Sequence, residues 1–153
     1  MAELTRDPDI VNVLERARVV AVLGAHREPH RPAFYVPDYL HQQGYRVLPV
    51  NPQLVGETLW GEPVRAHLTD LTEPVDLVDV FRRPDALDAH LDDFLAMRPG
   101  PGAIWFQLGI RNDRVAAALV ARGFDVVQDR CTLADHKRFR RSGLLPARTA
   151  KPG

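Results

Sequence analysis

The 153-residue sequence predicts a doubly wound α/β fold, with a mostly parallel five-stranded sheet and helices on both faces. Three observations lead there. Short apolar runs alternate with helical patterns along the chain. Several of these runs lack polar alternation, as strands covered on both faces do. Hydrophobic residues make up 45%, enough for one domain with a real core and too ordinary for a disordered or fibrous chain.

Taken in order, an N-terminal helix around residues 8–17 precedes the first strand, "RVVAVLG" (18–24). "AFYVPDYLHQQG" follows as a helix whose Pro37 lies near its first turn, where a missing N–H matters little, and whose final glycine suits a C-terminal cap. "YRVLPV" (45–50) is the second strand and "VDLVDVF" (75–81) the third. The connection between them, residues 51–75, is long, rich in Gly and Pro, and expected to hold at most a one-turn helix near Leu68–Leu71. "PDALDAHLDDFLAM" starts with Pro84 and puts Leu87, Leu91, Phe94 and Leu95 on one helix face. "GAIWFQLG" (102–109) is the fourth strand. "NDRVAAALVARG" opens with Asn112 as N-cap and closes at Gly123. "FDVVQ" (124–128) is the fifth strand, and a short helix follows Cys131. Residues 1–141 thus read as one domain and 142–153 as a basic, flexible tail.

Lys+Arg and Asp+Glu are equal at 20 each, so the whole chain has no electrostatic reason to seek nucleic acid or an acidic membrane. From Lys137 onward no acidic residue occurs, but no aromatic platform or reader motif accompanies those cations, and a solvated helix end is the simpler reading. One cysteine, Cys131, excludes an internal disulfide and a cysteine-cluster metal site. The N-terminal stretch is charged throughout and no apolar run is long enough to cross a bilayer, so a cytoplasmic protein is expected.

In open parallel sheets, ligands bind beyond the carboxyl ends of the strands, where strand order reverses. That rule selects Gly24, Val50-Asn51-Pro52, Val80-Phe81-Arg82 and Gln107-Leu108-Gly109-Ile110. Arg27, Arg31, Arg82 and Arg111 lie close by, and cations beside helix N-termini suit phosphates. The dinucleotide fingerprint is incomplete: only Gly24 is present of its three glycines, and Asn51 stands where an acidic residue would bind a ribose hydroxyl. No P-loop occurs. A pyrophosphate ligand with an extra ribose phosphate fits better than NAD, with an NADP(H)-dependent reductase or another nucleotide-cofactor enzyme as the alternative.

The stretches "VVAVLGAHREPHRPAFYVPDYLHQQGYRVLPVNP", "GEPV", "EPVDLVDVFRRP", "WFQLGIRN" and "VVQDRC" together resemble the small stand-alone CoA-binding proteins, whose fold is that of the CoA-binding domain of the succinyl-CoA synthetase alpha subunit. The resemblance runs from about Val11 to His136. It implies a Rossmann-like fold and coenzyme A, or a short acyl-CoA, as ligand. The implied contacts are Gly24, His26, Arg27, Arg31, Pro32, Ala33, Asn51, Pro52, Phe81, Arg82, Gln107, Gly109, Ile110, Arg111 and Asn112. Family members usually carry a serine at Ala33 and often a small hydroxyl near His26, and this chain has neither. A neutral hydrogen bond lost there costs about 0.5–1.5 kcal/mol, which His26, His30 or Arg31 can offset.

Other candidates have simpler readings. Pro29 interrupts the His26/Glu28/His30 group, which argues against a shared metal. Asp76 and Asp79 fall on opposite faces of a strand, so they do not pair as catalytic carboxylates. Cys131, with Asp129 and His136 nearby, reads as a partly buried helix-start cysteine or an activated thiol. Trp60 reads as an adenine platform or as part of a lid packed on the sheet edge, and Phe81 as half core and half ligand wall. With no nucleophile–base pair and no metal set in view, the expectation is a sensor, carrier or partner module without its own catalysis, acting as a homodimer or with an enzyme partner.

Overall fold

The computed structural model describes residues 2–148. Its elements are α1 (Asp7–Arg16), β1 (Val19–Leu23), α2 (Pro32–Gln42), β2 (Arg46–Val50), β3 (Thr58–Leu59), β4 (Glu62–Pro63), β5 (Leu77–Val80), α3 (Leu87–Ala96), β6 (Ala103–Phe106), α4 (Asp113–Ala121), β7 (Asp125–Val127) and α5 (Thr132–Arg141). All five expected strands form, each shorter than its apolar run because the flanking residues turn out of the ladder. The long connection is better organised than expected. Besides the anticipated turn at Leu68–Asp70, it holds a one-turn helix at Pro52–Leu54 and the two-residue hairpin β3–β4.

The five-stranded sheet has the order β2-β1-β5-β6-β7, and every pairing in it is parallel. This is the Rossmann-like, doubly wound arrangement. The chain leaves β1 towards β2 on one side, then returns to place β5 on the other, so strand order reverses between β1 and β5.

Side-chain alternation along the strands builds two cores. Ala21, Leu23, Val78, Val80, Ile104 and Phe106 face α3 and α4, packing on Leu87, Phe94, Val115 and Leu119. Val20, Val22, Leu77 and Trp105 face α1, α2 and α5, packing on Ile10, Leu14, Leu40 and Phe139. The Trp105 indole N–H donates to the Arg130 carbonyl at 2.7 Å, which lets so large a ring bury completely.

Residues 142–148 depart from the expectation of a free tail. Leu145 is buried in the second core, and Arg148 stacks 4.0 Å from the centre of the Tyr45 ring. The Arg148 guanidinium donates to the Leu14 and Glu15 carbonyls at 3.0 and 2.8 Å, at the C-terminal end of α1 where backbone acceptors lack helical partners. Tyr45 Oη donates to the same Leu14 carbonyl at 2.5 Å. The rest of the expected tail, 149–153, lies outside the described residues.

Arg148→Ala should therefore destabilise the fold. Charged hydrogen bonds of this kind contribute about 1.5–3 kcal/mol, and thermal unfolding should register a drop of several degrees.

Candidate functional site

The backbone closes tightly where strand order reverses. Gly24 leaves β1 at φ +87°, and a Cβ there would lie 2.7 Å from the Phe81 carbonyl oxygen, so only glycine fits. Asn51 fixes the neighbouring strand end: its Nδ2 donates to the Ala25 carbonyl at 2.9 Å and its Oδ1 accepts from the Gln53 N–H at 2.9 Å.

A cleft of about 630 Å³ opens along the carboxyl edge of the sheet. It is lined by Gly24, His26, Arg31, Pro32, Ala33, Asn51, Phe81, Arg82, Gln107, Gly109 and Ile110, all expected from the sequence. Tyr35, Val36, Arg83, Pro84 and Cys131 also line it and were not expected there, and so does Leu108, which the strand-end rule selected but the implied contacts left out. Tyr35 and Val36 lie one helical turn beyond Pro32, a spacing from which they could have been found. Leu108 is 69% exposed, an apolar side chain at a strand end with nothing covering it.

Four expected residues lie elsewhere. Arg27 points to Glu57, with Nη1 3.0 Å from its carboxylate. Arg111 pairs with Asp113 at 2.9 Å and Glu3 at 3.6 Å. Asn112 caps α4, accepting the Val115 N–H at 3.1 Å, and donates to the Pro84 carbonyl. Pro52 lines a smaller recess beside the cleft. Gln107 reaches the cleft wall, but its side chain turns inward: Nε2 donates to Asp79 Oδ1 and Thr132 Oγ1, both at 2.7 Å.

The contrast among the cations is electrostatic. Arg27, Arg83 and Arg111 are each matched by a carboxylate, whereas Arg31 and Arg82 have none among the described residues. Arg31 is the N-cap residue of α2, whose N-terminus no side chain caps. The backbone amides of Gly24 and Ala25 both donate to the Val50 carbonyl, and that of His26 to the Ala33 carbonyl. An anion in the cleft would thus rely on Arg31, Arg82 and the start of α2, and little on the glycine turn itself. Tyr35, Val36, Leu108 and Ile110 add apolar surface to the same lining. The cleft therefore offers both unmatched cations and apolar surface.

Below this floor sits Asp79, fully buried in β5. Thr132 Oγ1 donates to its Oδ2 at 3.0 Å, completing a triangle with Gln107. Burial pushes the carboxyl up to about 7, against the opposing pull of the hydrogen bonds from Gln107 and Thr132. Asp76 sits just before β5 and accepts the Arg18 and Val19 N–H groups, both at 2.9 Å, so the two aspartates have separate structural duties.

Cys131 is the N-cap residue of α5 and half-buried, and burial raises its thiol. His136 turns to the Tyr39 hydroxyl, 2.7 Å from its Nδ1, and burial pushes its ring down to about 4. Trp60 packs on Phe34, ring centres 5.6 Å apart, as part of the hairpin against the sheet edge; it does not line the cleft. Of its two readings, the lid describes its position. Among the described residues no group of three or more His, Cys, Asp or Glu could hold a metal ion, and no helix is long and apolar enough to cross a membrane.

A second depression of about 370 Å³ lies at the opposite, amino edge of the sheet. Asp9, Asp76 and Asp125 line it beside Arg16, so its carboxylates outnumber its cations and it offers little to an anion.

A Rossmann-like sheet with a cationic cleft at its switch point defines a nucleotide-binding class of protein. Within that class, the CoA binding domain family matches residues 18–137, and the chain belongs to it. The chain is 30% identical over 128 residues to the protein YneT of Bacillus subtilis (strain 168), covering 84% of this chain and 92% of that one. A solved structure from Thermus thermophilus, "cell-free ID.343", superposes with a TM-score of 0.84 at 53% identity, covering 88% of this chain and 98% of that chain. An acetyl-coenzyme A synthetase of Ca. Korarchaeum cryptofilum shares the fold at 21% identity and a TM-score of 0.61, covering 76% of this chain and 26% of the synthetase.

Two outcomes follow from this geometry. Gly24→Ala should destabilise the protein, because the added Cβ meets Phe81 backbone that cannot move without disturbing the β1–β5 ladder; circular dichroism melting checks this. Asp79→Asn should change the pH dependence of stability. The folded protein keeps the Asp79 proton up to about 7, whereas the unfolded chain ionises above 3.8, so wild-type folding weakens by about tenfold per pH unit across that window. The asparagine variant lacks this slope. Urea titrations should show its stability gaining on wild type between pH 4 and pH 8, with the opposite slope from His136 common to both proteins.

Proposed function

We propose that this chain binds coenzyme A, or a short acyl-CoA, across the carboxyl edge of the sheet and serves as a sensor, carrier or partner module without catalysing a reaction of its own. The observation that carries the reading is the pair of unmatched arginines, Arg31 and Arg82, facing one cleft beside the uncapped start of α2. Coenzyme A presents an anionic nucleotide end and a long, nearly neutral arm ending in a thiol. Arg31 and Arg82 complement the first, and Tyr35, Val36, Leu108 and Ile110 offer apolar surface to the second. A cleft of about 630 Å³ is in the usual range for such ligands.

Membership of the CoA binding domain family supports the same ligand. The non-catalytic role is supported by the two residues best suited to chemistry. The Cys131 thiol is raised by burial, which disfavours the thiolate, and His136 faces Tyr39 and lies outside the cleft lining. An NADP(H)-dependent enzyme is the weaker reading, since the Asn51 side chain is committed to backbone partners and the glycine turn has no free amide at residues 24–26.

Calorimetric titration tests the ligand. Arg31→Ala and Arg82→Ala should each weaken CoA binding roughly tenfold to a hundredfold, the loss of one charge-assisted phosphate contact. Arg27→Ala, which removes a cation already matched by Glu57, should have a much smaller effect. Equal losses at all three positions would mean that overall charge, and not the cleft, holds the ligand.

A further inference from the structure

The smaller recess beside the cleft has a chemistry of its own. It encloses about 170 Å³ on the α3 side of the sheet and shares Gly24, Asn51 and Arg82 with the main cleft, so the two form one continuous surface. Its far wall brings together His67, from the start of the Leu68–Asp70 turn, and His90 and Asp93, from α3. None of these three belongs to the set expected from the sequence. We propose that this recess receives the phosphorylated ribose of coenzyme A, with Arg82, His67 and His90 recognising its 3′-phosphate monoester. The inference rests on the CoA reading above.

Three features of the recess carry it. Arg82 stands where the recess joins the cleft and has no carboxylate partner among the described residues. His90 Nδ1 is buried without a hydrogen-bond partner, its nearest anion being Asp93 Oδ2 at 3.7 Å. Arg82 and two imidazoles therefore border a space whose lining holds one carboxylate, and that carboxylate is oriented to His90. The ring of His90 is held below its ordinary value, first by burial and then by the charge of Arg82. A dianion seated between them would relieve that repulsion and supply the missing counter-charge.

Asn51 argues in the same direction from the opposite wall. An acidic residue at the end of β2 would accept hydrogen bonds from an unsubstituted ribose. Here the Asn51 amide is neutral and tied to the backbone, donating to Ala25 and accepting from Gln53. A plain ribose diol finds no carboxylate acceptor there, while a phosphorylated ribose gains the cations beside it. The recess is thus built to distinguish the two.

The experiment compares four ligands by calorimetric titration of the intact protein: CoA, dephospho-CoA, NADP⁺ and NAD⁺. CoA should bind about tenfold or more tightly than dephospho-CoA, the difference expected from one charge-assisted phosphate contact. In His90→Gln and His67→Gln the ratio between those two ligands should shrink towards one. Equal binding of CoA and dephospho-CoA by the wild-type protein would overturn the inference and leave the CoA reading standing. Failure of both to bind would overturn the CoA reading and the inference with it. NADP⁺ bound as tightly as CoA would reassign the recess to the 2′-phosphate of a dinucleotide and overturn its assignment to CoA.

Discussion

The fold and the cleft both depend on the approach of β1 to β5 at Gly24 and Phe81. Where strand order reverses, the connections leaving the two neighbouring strands run to opposite faces of the sheet, and the gap between them is the crevice. At this point the Phe81 carbonyl comes so near Gly24 that no β-carbon can intervene. Phe81 N–H in turn donates to the Leu23 carbonyl at 2.9 Å, continuing the ladder past the last paired residues. Arg82 follows immediately and is carried to the crevice by the strand itself. The position of this unmatched arginine, two residues past β5, is thereby set by the backbone packing just before it.

Much of this was legible in the sequence. The apolar runs from Val19, Val47 and Ile104 announced buried parallel strands because they lack polar alternation. Asn112 and Pro84 marked helix starts through local chemistry that does not depend on the rest of the chain. Glycine at position 24 marked the end of the first strand for the same reason. The carboxyl-edge rule then assembled most of the cleft without any knowledge of side-chain direction.

What escaped notice depends on contacts between residues far apart in sequence. Arg27 looked equivalent to Arg31 and Arg82, and only the fold brings Glu57 within reach of it, whereas Arg111 has Asp113 two residues on and Glu3 added by the fold. His67 and His90 lie 23 positions apart and meet only because the Leu68–Asp70 turn packs on α3. Asp79 reads as a polar position in a half-exposed strand, and its complete burial follows from Thr132 and Gln107 arriving from two other elements. The closing segment misled for a similar reason. A basic, Pro- and Gly-containing end reads as solvated, yet Arg148 finds an aromatic ring and two helix-end carbonyls.

The two margins of the sheet bear on how such a chain could assemble. Beside β7, the N-terminal segment bridges Glu3 to Val126, with Leu4 N–H donating to the Val126 carbonyl and Val126 N–H to that of Ala2. Beside β2, Arg65 bridges to Val50, donating to the Pro49 carbonyl and accepting from Asn51. Both outer strands thus have part of their outward backbone already occupied by the chain's own segments. These bridges shorten the unpaired ladder that another strand could extend at either margin, and they fall beside the carboxyl end of β2 and the middle of β7.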